Sequence, residues 1–301
     1  MRIRDCNNTE DFRKLAKKRL PAPLFHYIDG GADDEITLRR NTDAFNDVRL
    51  IPNTLADLSN MDLATTVLGQ DIDWPVFMSP TGMTRLFHYE GERATCRAAH
   101  KAGTMLSFMS HPSWGWNYLT SEKFQLSNVA DRVSEGTGKL TSVIDYINKQ
   151  FDRSITWEDA EKIIQAWGGP FAIKGVMSVE DAKRAVDVGA SAVMISNHGG
   201  RQLDGSTAPF DQLPTIVDAV GDQIEVILDG GVRRGTHVLK ALAMGAKACM
   251  IGRGYLYALA AGGQPAVDRA LARLRQEIER DMVLMGCSNL SELNRNKLYF
   301  D

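Results

Sequence analysis

Residues 192–204 read AVMISNHGGRQLD and join an apolar run directly to a polar run that contains two glycines. The apolar run 192–196 predicts a short buried strand, because continuous apolar residues suit a strand that is covered on both faces. His198 and Arg201 follow closely after the end of that strand. Since the carboxyl ends of parallel strands build the active sites of βα barrels, we expect both side chains to lie in a site.

The alternation of apolar strands and helices extends in both directions from this stretch. Six strands are predicted, at residues 76–79, 104–108, 171–174, 192–196, 225–228 and 248–251. Helices are predicted near residues 90–101, 157–167, 179–188, 212–220, 235–244 and 265–280. Buried strands that alternate with helices indicate a parallel sheet, which is either a barrel or a doubly wound sheet.

The N-terminal part follows a different pattern. A helix is predicted over residues 9–18, because apolar residues recur on one stripe and Pro21 follows. Residues 21–60 are rich in turn-forming residues and predict loops. We therefore expect a single domain over residues 1–301, made of an N-terminal extension 1–75, a barrel 76–281 and a C-terminal tail 282–301.

Composition limits the classes of function. The 301 residues are 44% hydrophobic with a formal net charge of −3, which is typical of a folded protein and unlike a nucleic-acid binder. The four cysteines form no CxxC pair, which favours a reducing compartment over a zinc ribbon or a disulfide framework. No stretch resembles a signal peptide or a membrane span, so we expect a cytoplasmic protein.

Two glycine-rich segments follow the last two predicted strands. LDGGVRRG covers residues 228–235, and GAKACMIGR covers residues 245–253. Loops at these places in a barrel often bind phosphate through backbone N–H groups and a helix N-terminus. Arg233 and Arg253 would add charge-assisted hydrogen bonds. A phosphate site is the favoured interpretation, and glycines that serve only tight turns are the alternative.

Four further side chains are candidates for binding or catalysis at the mouth of the barrel. His198 can take a proton near neutral pH, and Arg201 can bind a carboxylate in a bidentate manner. Lys174 ends a predicted strand and could stabilise negative charge on a ligand over the barrel mouth. Tyr27 lies in a predicted loop that could cover the mouth. The alternatives are a solvated turn for the histidine segment, a strand-end lysine that reaches solvent and a packed aromatic residue.

At these residues the sequence resembles the FMN-dependent 2-hydroxy-acid dehydrogenase/oxidase family, which includes L-lactate dehydrogenases, glycolate oxidase and mandelate dehydrogenase. The motifs SNHGGRQLDG and LDGGVRRG carry the resemblance, which extends over the chain on both sides of a break near residues 108/109. It implies a TIM-type (β/α)8 barrel that binds FMN. It also implies oxidation of an L-2-hydroxy acid, with L-lactate as the first candidate, to the 2-keto acid.

The resemblance also implies a role for each candidate residue. His198 would be the catalytic base, Arg201 the clamp on the substrate carboxylate and Tyr27 a substrate-binding tyrosine. Lys174 would lie by flavin N1 and O2, and Ser196 would contact the isoalloxazine. The other implied FMN-binding residues are Pro80, Thr81 and Gly82 at the ring, Asp229, Gly230, Gly231 and Arg233 at the ribityl and phosphate, and Gly252 and Arg253 at the phosphate.

One part of the family pattern is absent from this chain. The second strand begins as in the family, but the residues that follow resemble a loop that comes after the family's fourth strand. The third strand, its helix and the fourth strand are missing, and with them the aspartate that orients the catalytic histidine and a second substrate arginine. We therefore expect an incomplete barrel of about six βα units with impaired activity.

Two alternatives to an active dehydrogenase remain. The chain could be a catalytically inactive, truncated paralogue that acts as a folded or oligomer-mixing subunit. It could also be another FMN barrel, similar to isopentenyl-diphosphate isomerase or IMP dehydrogenase, although SNHGGRQLD argues against this.

Partners follow from the same resemblance. It implies a homotetramer and an electron acceptor that is a quinone, oxygen or another protein. Trp114, Trp116 and Tyr118 lie close together and could contact a membrane surface, as aromatic residues do at headgroup depth. The chain would then lie peripherally on the inner face of the plasma membrane. Ordinary packing of these aromatic residues against the barrel is the alternative.

Overall fold

The computed structural model describes residues 1–107 and 154–300. The helices in these ranges are α1 Thr9–Arg19, α2 Ala22–Asp29, α3 Ile36–Asp43, α4 Glu92–Lys101, α5 Trp157–Trp167, α6 Val179–Asp187, α7 Pro209–Val220, α8 Gly235–Ala243 and α9 Arg253–Met285. The strands are β1 Val48–Leu50, β2 Thr65–Val67, β3 Gln70–Ile72, β4 Val76–Met78, β5 Ala172–Val176, β6 Ala192–Ile195, β7 Glu225–Asp229, β8 Ala248–Ile251 and β9 Leu298–Phe300.

Five parallel strands form the central sheet, in the order β4-β8-β7-β6-β5. Each lies within two residues of its predicted position. On the outer side of β4, Leu106 forms a parallel bridge with Met78, so the predicted strand 104–108 is represented by that bridge up to residue 107. Phe108 lies outside the described residues. The predicted alternation of strands and helices is therefore confirmed.

The two faces of the sheet belong to two separate apolar clusters. Side chains alternate between the faces of a strand, so neighbours in sequence enter different clusters. The inner cluster includes Phe77, Ala192, Met194, Ile227, Ala248 and Met250. The outer one includes Val193, Ile195, Val226, Leu228, Cys249 and Ile251, which pack with residues of the helices. A sheet that is buried on both faces and covered by helices on one is the arrangement of a βα barrel.

The sheet has two ends that do not meet within the described residues. Leu106 lies at one end and β5 at the other, whereas closure of a barrel requires the end strands to pair. Helix α5, which precedes β5, has no buried residue, and its Ile163 and Trp167 are 51% and 66% exposed. The described part of the chain is thus an incomplete barrel, as the sequence predicted.

The N-terminal extension differs from the expectation. Residues 21–60 were expected to be loops, but they contain α2 and α3. Pro23 lies in the first turn of α2, where the missing N–H of proline costs nothing. Helix α3 buries the polar residues Thr37 and Asn41, so it lacks the apolar stripe that usually marks a helix. Tyr27 consequently lies on a helix and not in a loop.

Helix α9 is also longer than the predicted 265–280. It continues from the end of β8, and non-helical φ and ψ angles at Gly262 and Gly263 divide it into two parts. The helix packs against α1 and α4, and its first part is apolar and buried. Its apolar character on all sides hides the periodicity by which a sequence normally reveals a helix.

Candidate active site

A cleft with about 830 Å³ of empty space opens at the carboxyl ends of the parallel strands. All predicted site residues except Ser196 line it. They are Tyr27, Pro80, Thr81, Gly82, Lys174, His198, Arg201, Asp229, Gly230, Gly231, Arg233, Gly252 and Arg253. Ser196 is buried and bonds to three of these residues, Lys174, His198 and Asp229. Residues from the ends of all five sheet strands and from α2 therefore converge on one place.

The floor of the cleft is a buried ion pair with two hydroxyl partners. Lys174 Nζ lies 2.7 Å from Asp229 Oδ2, to which Ser196 Oγ also donates at 2.8 Å. The other carboxylate oxygen accepts from Ser79 Oγ at 2.6 Å. Burial alone would raise the pKa of Asp229, but Lys174 and the two hydroxyls hold it below the ordinary value. Asp229 is therefore a charged anchor for Lys174.

His198 stands above this floor in a strained backbone conformation. Its φ is 56°, in the left-handed region that non-glycine residues rarely adopt, and its backbone N donates to Ser196 Oγ at 3.2 Å. Partial desolvation in the cleft lowers the pKa of its imidazole, and the nearby Lys174 and Arg201 lower it further. The neutral, basic form of His198 is thus favoured at neutral pH.

His198 has no carboxylate partner in residues 1–107 and 154–300. No hydrogen bond or ion pair there joins its ring to an aspartate or glutamate. A carboxylate in that position would orient the imidazole and stabilise its protonated form. The imidazole of His198 therefore has no such support from the described residues.

Arg201 and Tyr27 form one unit on the wall of the cleft. The Arg201 guanidinium carbon lies 4.8 Å from the centre of the Tyr27 ring, and Nη1 donates to the backbone O of Tyr27 and of Gly30, the latter at 3.1 Å. Phe87 stacks on the Tyr27 ring, with ring centres 6.3 Å apart. Nε and Nη2 of Arg201 have no hydrogen bond within the described chain, so this fork can bind a carboxylate.

Arg253 connects three segments around the cleft. Its nitrogens donate to the backbone O of Ile28, Gly199 and Gly30 at 2.8, 2.8 and 2.7 Å. Burial lowers its pKa to about 10, and the neighbouring Arg233 contributes to that shift. Burial also lowers the pKa of Arg233. Two guanidinium groups that destabilise each other's charge are the arrangement expected where an anion binds.

The glycine loop after β7 requires its glycines. A Cβ on Gly231 would lie 1.7 Å from the backbone O of Asn41, and one on Gly230 would lie 2.8 Å from Pro209 Cγ. Gly231 also has a φ of 73°. His237 Nδ1 lies 3.3 Å from Gly231 O and 3.4 Å from Arg233 N, so this buried ring supports the loop from below.

The charges of the cleft suit a flavin phosphate together with a substrate carboxylate. Lys174 is neutralised by Asp229, whereas Arg201, Arg233 and Arg253 form no ion pair in the described residues. A phosphate monoester carries nearly two negative charges, and a carboxylate carries one. The apolar side chains of Phe87, Met250 and Leu256 complete the lining. The residues present therefore fit FMN and an organic acid.

Several contributing residues were not found by sequence reasoning. They are Ser79, Phe87, Asn41 and Tyr255, whose hydroxyl donates to Ser79 O at 2.9 Å and also bonds to Thr81 Oγ1. Ser79 directly precedes the predicted Pro80 and ends the apolar run of β4, so its position was a usable signal. The others carry no local motif.

Comparison with known proteins gives the family. The model of the FMN-dependent dehydrogenase family matches residues 16–111 and 104–300. An L-lactate dehydrogenase of Alcaligenes faecalis is 33% identical over 373 residues, with 97% of this chain and 98% of that protein covered. Glycolate oxidase 1 of Oryza sativa subsp. indica is 33% identical over 359 residues, with coverages of 99% and 96%. Both proteins thus match almost end to end.

Solved structures agree with these relatives. A monotopic membrane protein, (S)-mandelate dehydrogenase, superposes with a TM-score of 0.85 at 30% identity and covers 99% of this chain and 100% of its own. A flavocytochrome b2 variant has a TM-score of 0.85 at 33% identity, with coverages of 99% and 88%. The fold is that of a TIM-type barrel family. The chain belongs to the FMN-dependent dehydrogenase family, and its cofactor is FMN.

The same comparisons bear on the missing segment. The match to the Alcaligenes protein runs over 373 residues, although this chain has 301. The relative therefore contains residues that this chain lacks. The two family matches meet and overlap at residues 104–111, so this short stretch corresponds to two different parts of the family pattern. The barrel is incomplete relative to its family.

The aromatic residues Trp114, Trp116 and Tyr118, which were considered as a membrane contact, lie outside the described residues. None of the helices that the structure describes is long and apolar enough to cross a membrane.

Proposed function

We propose that this protein uses FMN to oxidise an L-2-hydroxy acid, with L-lactate as the first candidate, to the 2-keto acid. The observation that carries the proposal is the placement of His198 in one cleft with the open fork of Arg201 and with Arg233 and Arg253. The names of the relatives, L-lactate dehydrogenase, L-lactate oxidase and glycolate oxidase, support the same class of substrate.

Each side chain has a part that follows from its surroundings. The free donors of Arg201 bind the carboxylate of the hydroxy acid, and Tyr27, held against Arg201, limits how the acid can lie. His198, neutral because its pKa is lowered, takes the proton of the hydroxyl group. Lys174, whose charge is balanced by Asp229, has a third N–H beyond those directed to Asp229 and Ser196, and this donor would stabilise negative charge in the cleft. FMN, when bound, accepts the two electrons that leave the substrate.

The phosphate end of FMN has its own proposed binding residues. The backbone of Gly230, Gly231 and Gly252 lies open to the cleft beside Arg233 and Arg253. These groups would hold the phosphate, while Pro80, Thr81, Gly82 and Ser196 would contact the ring system. Asp229 would act mainly by holding Lys174, since Lys174, Ser79 and Ser196 already engage its carboxylate.

His198 has no carboxylate partner among residues 1–107 and 154–300, which favours slow turnover and supports a second candidate function. In that second function the chain binds FMN but acts as a catalytically inactive subunit of a mixed oligomer. Turnover numbers decide between the two, because an inactive subunit gives no 2-keto acid at any enzyme concentration.

A steady-state assay tests the proposal. The FMN-loaded protein is incubated with L-lactate, glycolate or L-mandelate and an artificial electron acceptor, and the 2-keto acid is quantified. We expect product with at least one of these three acids and none with D-lactate. His198→Gln is the matched control, because it removes the base and keeps a polar side chain in the cleft. Absence of product from all three acids would refute the proposal.

The partners are part of the proposal. We infer that reduced FMN passes its electrons to a quinone, oxygen or another protein, and that the chain forms a homotetramer. The mandelate dehydrogenase relative is a monotopic membrane protein, which supports a peripheral membrane contact for this chain. Sedimentation with lipid vesicles tests that contact: replacing Trp114 and Trp116 together should reduce the bound fraction, and an unchanged fraction would exclude their role.

A further inference from the structure

The loop that carries His198 has an unusual backbone. His198, Gly199 and Gly200 have φ values of 56°, 68° and 72°. Glycine reaches this left-handed region readily, whereas a residue with a Cβ reaches it only when its surroundings enforce it. The residues that hold the loop therefore also determine where the imidazole of His198 lies.

Asn197 closes the loop through its side chain. Its Oδ1 accepts from the backbone N of Gly200 at 3.1 Å, and its Nδ2 donates to Thr207 O at 3.0 Å. These bonds join the start of the loop to its end and to the following segment. The orientation of one amide group thus fixes the backbone on both sides of His198.

Asn41 on α3 holds that amide from the N-terminal extension. The side-chain amides of Asn41 and Asn197 face each other, with N–O distances of 2.8 and 2.7 Å. Asn41 is only 1% exposed. Its backbone O also lies against Gly231, where a Cβ would meet it at 1.7 Å. One residue therefore contacts both the His198 loop and the glycine loop after β7.

We propose that Asn41 is a positioning residue for His198, and that it acts through Asn197 to hold the left-handed backbone that directs the imidazole into the cleft. The inference rests on the proposed function, in which His198 is the base. Arg201 is held separately, by the backbone O of Tyr27 and Gly30, so loss of the amide pair should affect the base more than carboxylate binding.

Two substitutions of Asn41 separate positioning from packing. Asn41→Leu keeps a similar volume and removes both hydrogen bonds, while Asn41→Asp keeps an acceptor for Asn197. In the holoenzyme we expect kcat to fall about tenfold or more in Asn41→Leu, less in Asn41→Asp, with KM changed by less than about threefold. The control is Thr95→Val, which removes a fully buried hydroxyl from α4.

A second readout does not depend on turnover. The imidazole of His198 faces Lys174, Arg201, Asp229 and Arg253, and its pKa lies below 6.5. NMR titration of histidine-labelled protein, with the signal assigned by His198→Gln, follows this group directly. In Asn41→Leu the imidazole leaves these surroundings, so its pKa should rise towards 6.5, whereas Thr95→Val should leave it unchanged.

The outcomes are distinct. If Asn41→Leu matches Thr95→Val in both kcat and the His198 titration, the amide pair serves packing alone and the inference is wrong. If the unchanged protein oxidises no 2-hydroxy acid, the proposed function fails. The titration then decides by itself whether Asn41 positions the imidazole.

Discussion

Lys174 and Asp229 form an ion pair, with Nζ 2.7 Å from Oδ2, that connects β5 to β7 across the intervening β6. Ser196 at the end of β6 bonds to both partners. Three neighbouring strand ends are thereby joined by one buried polar network. Because the pair is neutral overall, the positive charge offered to a ligand comes from Arg201, Arg233 and Arg253.

Removal of one partner of this pair should destabilise the fold. Asp229→Asn leaves the ammonium of Lys174 without its counter-charge, so the free energy of unfolding should fall by about 3 kcal/mol. Lys174→Met in the same protein removes the unpaired charge, and the double variant should recover part of the loss. Urea denaturation measures all three variants. Strictly additive effects would show that the two groups do not interact.

The pH dependence of kcat/KM should report His198. Its pKa is lowered by desolvation and by Lys174, Arg201 and Arg253, and the neutral form is the active base. Activity should therefore be retained below pH 6.5 and lost only as the pH falls through the lowered value. The acid side of the pH profile of kcat/KM measures this loss of activity. If the midpoint of the loss lies at or above pH 6.5, the surroundings assigned to His198 are wrong.

His237 should make stability depend on pH. Its pKa is lowered from 6.5 to about 4 by burial, so below pH 6.5 the unfolded chain binds a proton that the folded chain does not. The free energy of unfolding should fall as the pH drops from 6.5 to 4, by up to about 3 kcal/mol. His237→Phe retains a ring beside Phe45 and should reduce this slope. His26→Phe, at an exposed position, is the control, and equal slopes in both variants would refute the assignment.

Two glycines of the cleft should respond differently to alanine. Gly231→Ala would place a Cβ 1.7 Å from Asn41 O at a φ of 73°, so the melting temperature should fall sharply or the protein should not fold. A Cβ at Gly82 would meet no atom of residues 1–107 and 154–300 within 4 Å, so Gly82→Ala should fold normally. Thermal unfolding measures both. Similar melting temperatures for the two variants would show that the loop after β7 can move to accommodate a side chain.

Most of the site that was predictable from sequence lies in short motifs that directly follow strands. Ser196, His198 and Arg201 follow one strand, and Asp229 to Arg233 follow the next, so the rule about strand ends was sufficient to bring them together. Asn41 could not be predicted in this way. Its partner Asn197 is far away in the chain, and the polar surface of α3 hides the helix that brings them together.

The elements of the fold also divide into those that the sequence predicted and those that it did not. Apolar strands such as β6 and β8 are recognisable because all of their residues are buried. Helix α2 was missed because Pro21 and Pro23 resemble a loop, although both positions are compatible with a helix start. The count of six predicted strands, against eight in a closed barrel, already indicated missing units, and the resemblance then identified which units they are.

Anaerobic reduction of the flavin tests the central claim most directly. The purified protein is loaded with FMN, mixed with L-lactate or another L-2-hydroxy acid without oxygen, and followed by flavin absorbance. We predict that the flavin is bound and bleached at a rate that saturates with the L-acid, with no bleaching by D-lactate and none in His198→Gln. Bound flavin that no L-2-hydroxy acid bleaches, or a protein that does not bind FMN, would contradict the account.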